Sequence, residues 1–231
     1  DKVDGPDAYV QIGFGLLIRV NTTNSFWSYV PAKFAKRARA AVDAIMSLKK
    51  VVHMVSPQGI KVIIVAEAAE GLFGAAALTS GLANLGGGSV ASGGSGMTGG
   101  IIVVAAYPSI LTADALANLA MAISNSPETT RTVRLAGYAG AAGSSVVAVT
   151  LVSEAGISGL SAAGITSGLA VLGGGTLLEG LIVLAALGIG GTVIAAGIAY
   201  LINDAVAQRE LERQREEIED LALLLSFRIS I

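Results

Sequence analysis

Residues 71–113 contain no charged side chain. At their centre, residues 79–100 read Thr-Ser-Gly-Leu-Ala-Asn-Leu-Gly-Gly-Gly-Ser-Val-Ala-Ser-Gly-Gly-Ser-Gly-Met-Thr-Gly-Gly, with no aromatic ring and almost no bulk. In water a helix loses about 1 kcal/mol for each glycine that replaces alanine. In lipid the backbone has no partner but itself, and glycine lets two helices approach backbone to backbone. The stretch therefore predicts a close-packing seam between membrane helices.

The seam recurs. Residues 166–176 repeat Thr-Ser-Gly-Leu-Ala-x-Leu-Gly-Gly-Gly at an offset of about 87 residues (79 to 166), the signature of a long internal repeat. At that offset Val65, Glu67 and Ala68 fall on Val152, Glu154 and Ala155, and Gly93 falls on Gly180. The expected helix-contact glycines are Gly81, Gly86, Gly87, Gly88 and Gly93 in the first copy. In the second they are Gly168, Gly173, Gly174, Gly175 and Gly180.

Only 14% of residues are charged, against about 25% in soluble domains. The net charge of −2 gives no general footprint for nucleic acid. With no cysteine, disulfides, thiolate metal sites and cysteine nucleophiles are excluded. Gly94-x-Gly96-x-x-Gly99 has the dinucleotide-binding spacing, but a glycine run precedes it where a strand is required. No Gly-Lys-Ser/Thr follows any glycine run, so there is no P-loop. His53 is the only histidine and has no acidic neighbour in sequence. No acid, base and nucleophile converge, and no cofactor or metal site is visible, so a non-enzymatic role is expected.

The chain divides into six parts. Residues 1–30 open with a polar stretch unlike a signal peptide, as a mature or trimmed form would. They continue with a short apolar segment, 8–20, compatible with a strand or an interfacial piece. Asn21-Thr22-Thr23 reads as a polar turn, and Trp27 and Tyr29 as rings suited to a lipid–water boundary. Residues 31–59 hold a basic amphipathic helix with Pro31 in its first turn. Phe34, Ala38, Ala41, Val42, Ile45, Leu48 and Val52 form its apolar face. Lys33, Lys36, Arg37 and Arg39 are expected to bind anionic lipid.

Residues 60–124 and 135–204 are two glycine-rich membrane repeats, separated by the polar break 125–134. Pro108 is expected to end one run, and four spans are expected in all. Glu70, Asp114 and Glu179 are expected at span ends, in the headgroups. Glu67 and Glu154, at one repeat position, are candidates to line an aqueous path, because an ionisable residue inside lipid is costly unless it faces water. Residues 205–231 form a charged helix in which Leu211, Ile218 and Leu225 fall seven apart, compatible with a short coiled coil or a solvated single helix.

The run Leu82-Ala83-Asn84-Leu85-Gly86-Gly87-Gly88-Ser89-Val90-Ala91-Ser92-Gly93-Gly94, and Gly164-Ile165-Thr166 with Gly173-Gly174-Gly175, resemble the glycine-rich membrane segments of the small interferon-inducible proteins. The resemblance covers the two seams alone and implies membrane insertion, with no catalytic residues. That family is helical, sits in intracellular membranes including mitochondria, and is associated with control of cell death. The duplication, the basic helix and the charged C-terminal helix depart from it.

The expected protein is all-α, membrane-embedded and packed through glycines. It would bind an anionic bilayer and its own copies, not nucleic acid, and act as an oligomeric pore-forming or membrane-permeabilising protein. The alternative is a scaffold, sheath or tube subunit with no conduit.

Overall fold

The computed structural model describes residues 8–11, 17–20 and 32–229, with side chains from 34 to 222. Asn21, Trp27 and Tyr29 lie outside the described residues. The segment 8–20 contributes two antiparallel strands, β1 (Ala8–Gln11) and β2 (Leu17–Val20), with Tyr9 opposite Arg19. The rest is helical: α1 (Ala32–Val55), α2 (Pro57–Ala66), α3 (Gly74–Leu85), α4 (Gly96–Ser124), α5 (Pro127–Ala155), α6 (Ala162–Leu172) and α7 (Leu177–Ile229).

Local chemistry sets the helix starts. Ser56, Ser126 and Ser161 each accept the backbone N–H three residues on, at 3.1, 3.3 and 3.1 Å, the N-cap geometry. Thr176 and Glu179 bracket the first turn of α7: Glu179 N–H donates to Thr176 Oγ1 at 3.2 Å, and that hydroxyl donates to the Glu179 carboxylate at 2.9 Å. Glu179 thus lies at a helix start, where a carboxylate favours the dipole.

Among the described residues three helices, α4, α5 and α7, are long and apolar enough to cross a membrane. The expected fourth span is corrected here. Between α5 and α7 stands only the eleven-residue α6, about 16 Å long at 1.5 Å per residue against a hydrocarbon core of about 30 Å. The expected stop at Pro108 is also corrected, since α4 runs through it unbroken. Proline leaves the carbonyl four residues back without its donor. Hydroxyls add bonds around it: Ser109 Oγ donates to Ala105 O at 2.6 Å and Thr112 Oγ1 to Pro108 O at 2.8 Å.

The duplication is present in the packing. Both glycine runs close their helix alike: Gly88 N–H reaches Ala83 O at 3.0 Å, and Gly175 N–H reaches Ala170 O at 2.7 Å, the long bond of a Schellman cap. One core joins the copies, and its members pair off: Ile60 with Ala148, Ile64 with Val152, Leu82 with Leu169, Ile101 with Leu181, Val104 with Leu184, Ala105 with Ala185. The offset is 88 in the first helix (64 to 152), 87 in the second (82 to 169) and 80 in the third (101 to 181). The first copy has the longer turn, carrying the 3-10 helix Val90–Ser92. The counterpart of Gly180 is therefore Gly100, not Gly93. A Cβ on Gly100 would strike the Leu82 carbonyl, and one on Gly180 the Leu169 carbonyl.

The two copies run in the same direction. In each, a helix leads to the glycine-turn end, a short helix packs there between it and the next, and a long helix leads away. At the opposite end Arg37, on α1, meets the last turn of α4. There α5 begins and α7 continues past the bundle, exposed at every position from 204 to 222.

Away from the core at the glycine-turn end, packing is inverted relative to a soluble domain. Long helices touch through small residues: Gly137 meets Ala113, Gly140 meets Gly191, and Gly188 meets Ala105 and Ser109. Large apolar residues face outward, with Val146 68%, Ile194 65% and Ile198 53% exposed. α1 follows the same rule in part: Ala40, Val42, Ala44 and Val51 are buried, while Phe34, Ile45 and Val52 of the expected apolar face point outward.

Candidate functional site

The expected contact glycines separate into two kinds. Gly81, Gly86, Gly168, Gly173 and Gly180 sit where another backbone passes: a Cβ on Gly81 would strike the Ile64 carbonyl, and one on Gly168 the Val152 carbonyl. Gly87, Gly88, Gly93, Gly174 and Gly175 are turn glycines with φ of 85°, 93°, 87°, 68° and 128°. Their placement as helix contacts is corrected: glycine is needed there for the left-handed backbone that L side chains avoid.

Glu67 and Glu154 are both exposed, at the glycine-turn end. They are not exact counterparts. Gly81 sits on Ile64 and Gly168 on Val152, which slides the pairing by one residue, about 100° around a helix. Glu67 caps α2 and its carbonyl accepts Asn84 Nδ2 at 2.7 Å; the residue matching Asn84 is Val171. Glu70 in the turn after α2 and Glu179 at the start of α7 are exposed at this end too, making its rim mostly acidic, and exposed Lys61 lines a pocket with Thr176 there.

The expected lipid cations divide too. Arg37 donates Nε to Ala122 O at 2.8 Å and Nη2 to Ile123 O at 3.0 Å. It thus caps the C-terminus of α4, where cations complement the dipole, while remaining exposed on α1. Lys36 and Arg39 are exposed on α1; the Lys33 side chain lies outside the described residues. His53 is exposed, its carbonyl accepting Ser56 Oγ at 2.6 Å.

One constellation escaped the sequence reading. Asp114 on α4 accepts Tyr138 Oη at 2.8 Å and pairs with Arg134 Nε at 3.2 Å, both from α5. The side chains of Arg134 and Asp114 are 42% and 38% exposed. Asp114 thus faces a cation on the neighbouring helix and forms an interhelical ion pair where the charge-free segments end. The signal was available: Asp114 precedes the Asn125 turn by nearly the distance by which Arg134 follows it, so a helical hairpin brings them level. On the glycine-turn side of this pair, residues 96–113, 135–153 and 180–203 are free of charge. Each runs about 27 Å or more as helix.

Asp114→Ala is expected to lower the thermal midpoint of the detergent-solubilised protein. A hydrogen bond to a charged group contributes about 1.5–3 kcal/mol, and exposure reduces this to about 1 kcal/mol. In a double-mutant cycle with Tyr138→Phe, measured by chemical denaturation, the two losses should fail to add. Simple additivity would mean the contact contributes nothing.

No protein-family model, curated protein or solved structure matches the chain.

Proposed function

We propose that this protein is a membrane-embedded helical bundle that assembles with copies of itself and permeabilises the bilayer along the seam between copies. The observation that carries the membrane part is the inverted packing. Lipid offers no drive to bury large apolar side chains, so small residues make the helix contacts and branched ones face out. That pattern is seen where α4, α5 and α7 meet through Gly137, Gly140 and Gly188. The pathway is assigned between copies because the middle of one chain is filled by Ile64, Leu82, Ile101, Leu169 and Leu184, each at most 1% exposed. The acidic rim would then stand at the mouth of such a path rather than within its wall, and favour cations there.

The same filled centre favours a second reading, a membrane scaffold with no conduit. Dye release from liposomes separates the two. Permeabilisation predicts release that rises with protein density, and a scaffold predicts sealed, protein-loaded vesicles. Under a salt gradient in planar bilayers, Glu67→Gln with Glu154→Gln is expected to shift the reversal potential toward zero while conductance persists. Unchanged selectivity would remove both residues from the path.

A further inference from the structure

Between α4 and α5 runs an open groove of about 680 Å³, walled by Ile102, Ala106 and Ile110 on one side and by Tyr138, Ala142 and Val146 on the other. Its two walls end on the same polar cluster. On α4, Ile102, Ala106 and Ile110 step by four residues, and the next step is Asp114. On α5 the wall passes through Tyr138, and one turn earlier stands Arg134, with exposed Arg131 a further turn out. Residues three, four and seven apart share a helix face, so Arg131, Arg134, Tyr138, Ala142 and Val149 form one stripe. Its chemistry changes from cationic to apolar along the helix.

We infer that this groove holds one acyl chain of an anionic phospholipid, with the phosphate at Arg131 and Arg134. The inference rests on the membrane placement proposed above and adds a specific lipid site to it. Charge complementarity selects the occupant. Arg134 Nε lies 3.2 Å from Asp114 Oδ1 as an ion pair without a hydrogen bond, and the four N–H donors on its two Nη atoms can face a phosphate. Arg131 adds a second cation at the depth where headgroups lie, one turn beyond the charge-free segments. Tyr138 closes the boundary, its ring lining the groove and its hydroxyl fixed on Asp114. Such amphipathic rings suit the membrane interface.

The test is photo-crosslinking of the full chain in vesicles. The probes are an anionic phospholipid with a photoactivatable acyl chain and its zwitterionic twin, with labelled peptides mapped by mass spectrometry. Label is expected to concentrate on residues 102–110 and 138–149, about fivefold higher for the anionic probe, as one additional cation near the surface supplies. Arg131→Gln should erase that preference and keep the label. Ala142→Trp, at an exposed wall position, should clear label from both segments while outward α7 residues such as Ile194 keep theirs. Even labelling of all outward faces, or equal yields from the two probes in the wild type, would overturn the lipid site and leave the membrane placement standing. A chain that labels nowhere because it stays off the vesicles would overturn the membrane placement and the site with it.

Discussion

Gly100→Leu and Gly180→Leu, made separately, are each expected to abolish recovery of a monodisperse folded protein. At both positions the first atom a Cβ would meet is a backbone carbonyl, of Leu82 or of Leu169. No rotamer change can move it aside, so the helices must part. Overpacking a core costs about 1–3 kcal/mol when side chains can shift, and more when the backbone must. A domain's whole stability is only about 5–15 kcal/mol. The alanine versions bring the same Cβ against the same carbonyl, so their midpoints should fall by more than about 3 kcal/mol equivalent. Gly174→Ala is the contrast: it has φ +68° and open space around it, so it bears left-handed strain alone, about 1–2 kcal/mol. Gly143→Ala, helical with nothing within 4 Å, should be neutral or stabilising by up to about 1 kcal/mol. Thermal denaturation with size-exclusion chromatography in detergent reads this order. A Gly100→Leu chain as stable as Gly143→Ala would mean that α3 and α4 do not touch where the structure brings them together.

The second large effect concerns assembly. Leu211→Glu with Ile218→Glu is expected to reduce self-association at least about a hundredfold and leave the thermal midpoint unchanged. Both side chains are 66% exposed on the part of α7 that extends past the bundle, so no intrachain contact is lost. If two copies pair along that stripe, each residue contributes about 1.5–3 kcal/mol of apolar burial, and about 3 kcal/mol is already a hundredfold. Buried carboxylates oppose pairing further. Sedimentation in density-matched detergent measures it, and dye release from liposomes should fall in parallel. A wild type that stays monomeric at all concentrations would remove assembly from the proposed function. A double mutant that assembles normally would move the interface elsewhere.

Much of the helical order was legible before any coordinates. Pro31 and the three-and-four spacing of apolar residues marked α1 almost to the residue, and the run of 71–113 without charge marked a membrane-like region. The period alone did not show which residues of α1 meet the bundle. Of its apolar face Val42 is buried, while Phe34, Ile45 and Val52 lie outward. Ala40 and Ala44 pack inward, where small residues let helices approach closely. The stop expected at Pro108 failed because helix-breaking power weakens where packing and hydroxyls compensate.

By itself the sequence determined the helical class, the duplication of Thr-Ser-Gly-Leu-Ala-x-Leu-Gly-Gly-Gly, and the change to a charged helix near residue 205. These are local facts of composition and period, and no fold could alter them. Only the tertiary structure decided which glycines are contacts and which are turns, because a run of identical residues does not reveal where the backbone turns left-handed. It also decided that Gly180 answers to Gly100. A constant offset cannot see a turn that is longer in one copy, whereas Ile101 on Leu181 and Val104 on Leu184 in one shared core can. The Asp114–Arg134–Tyr138 cluster belongs to the same class: its members are far apart in the chain, and a helical hairpin makes them neighbours.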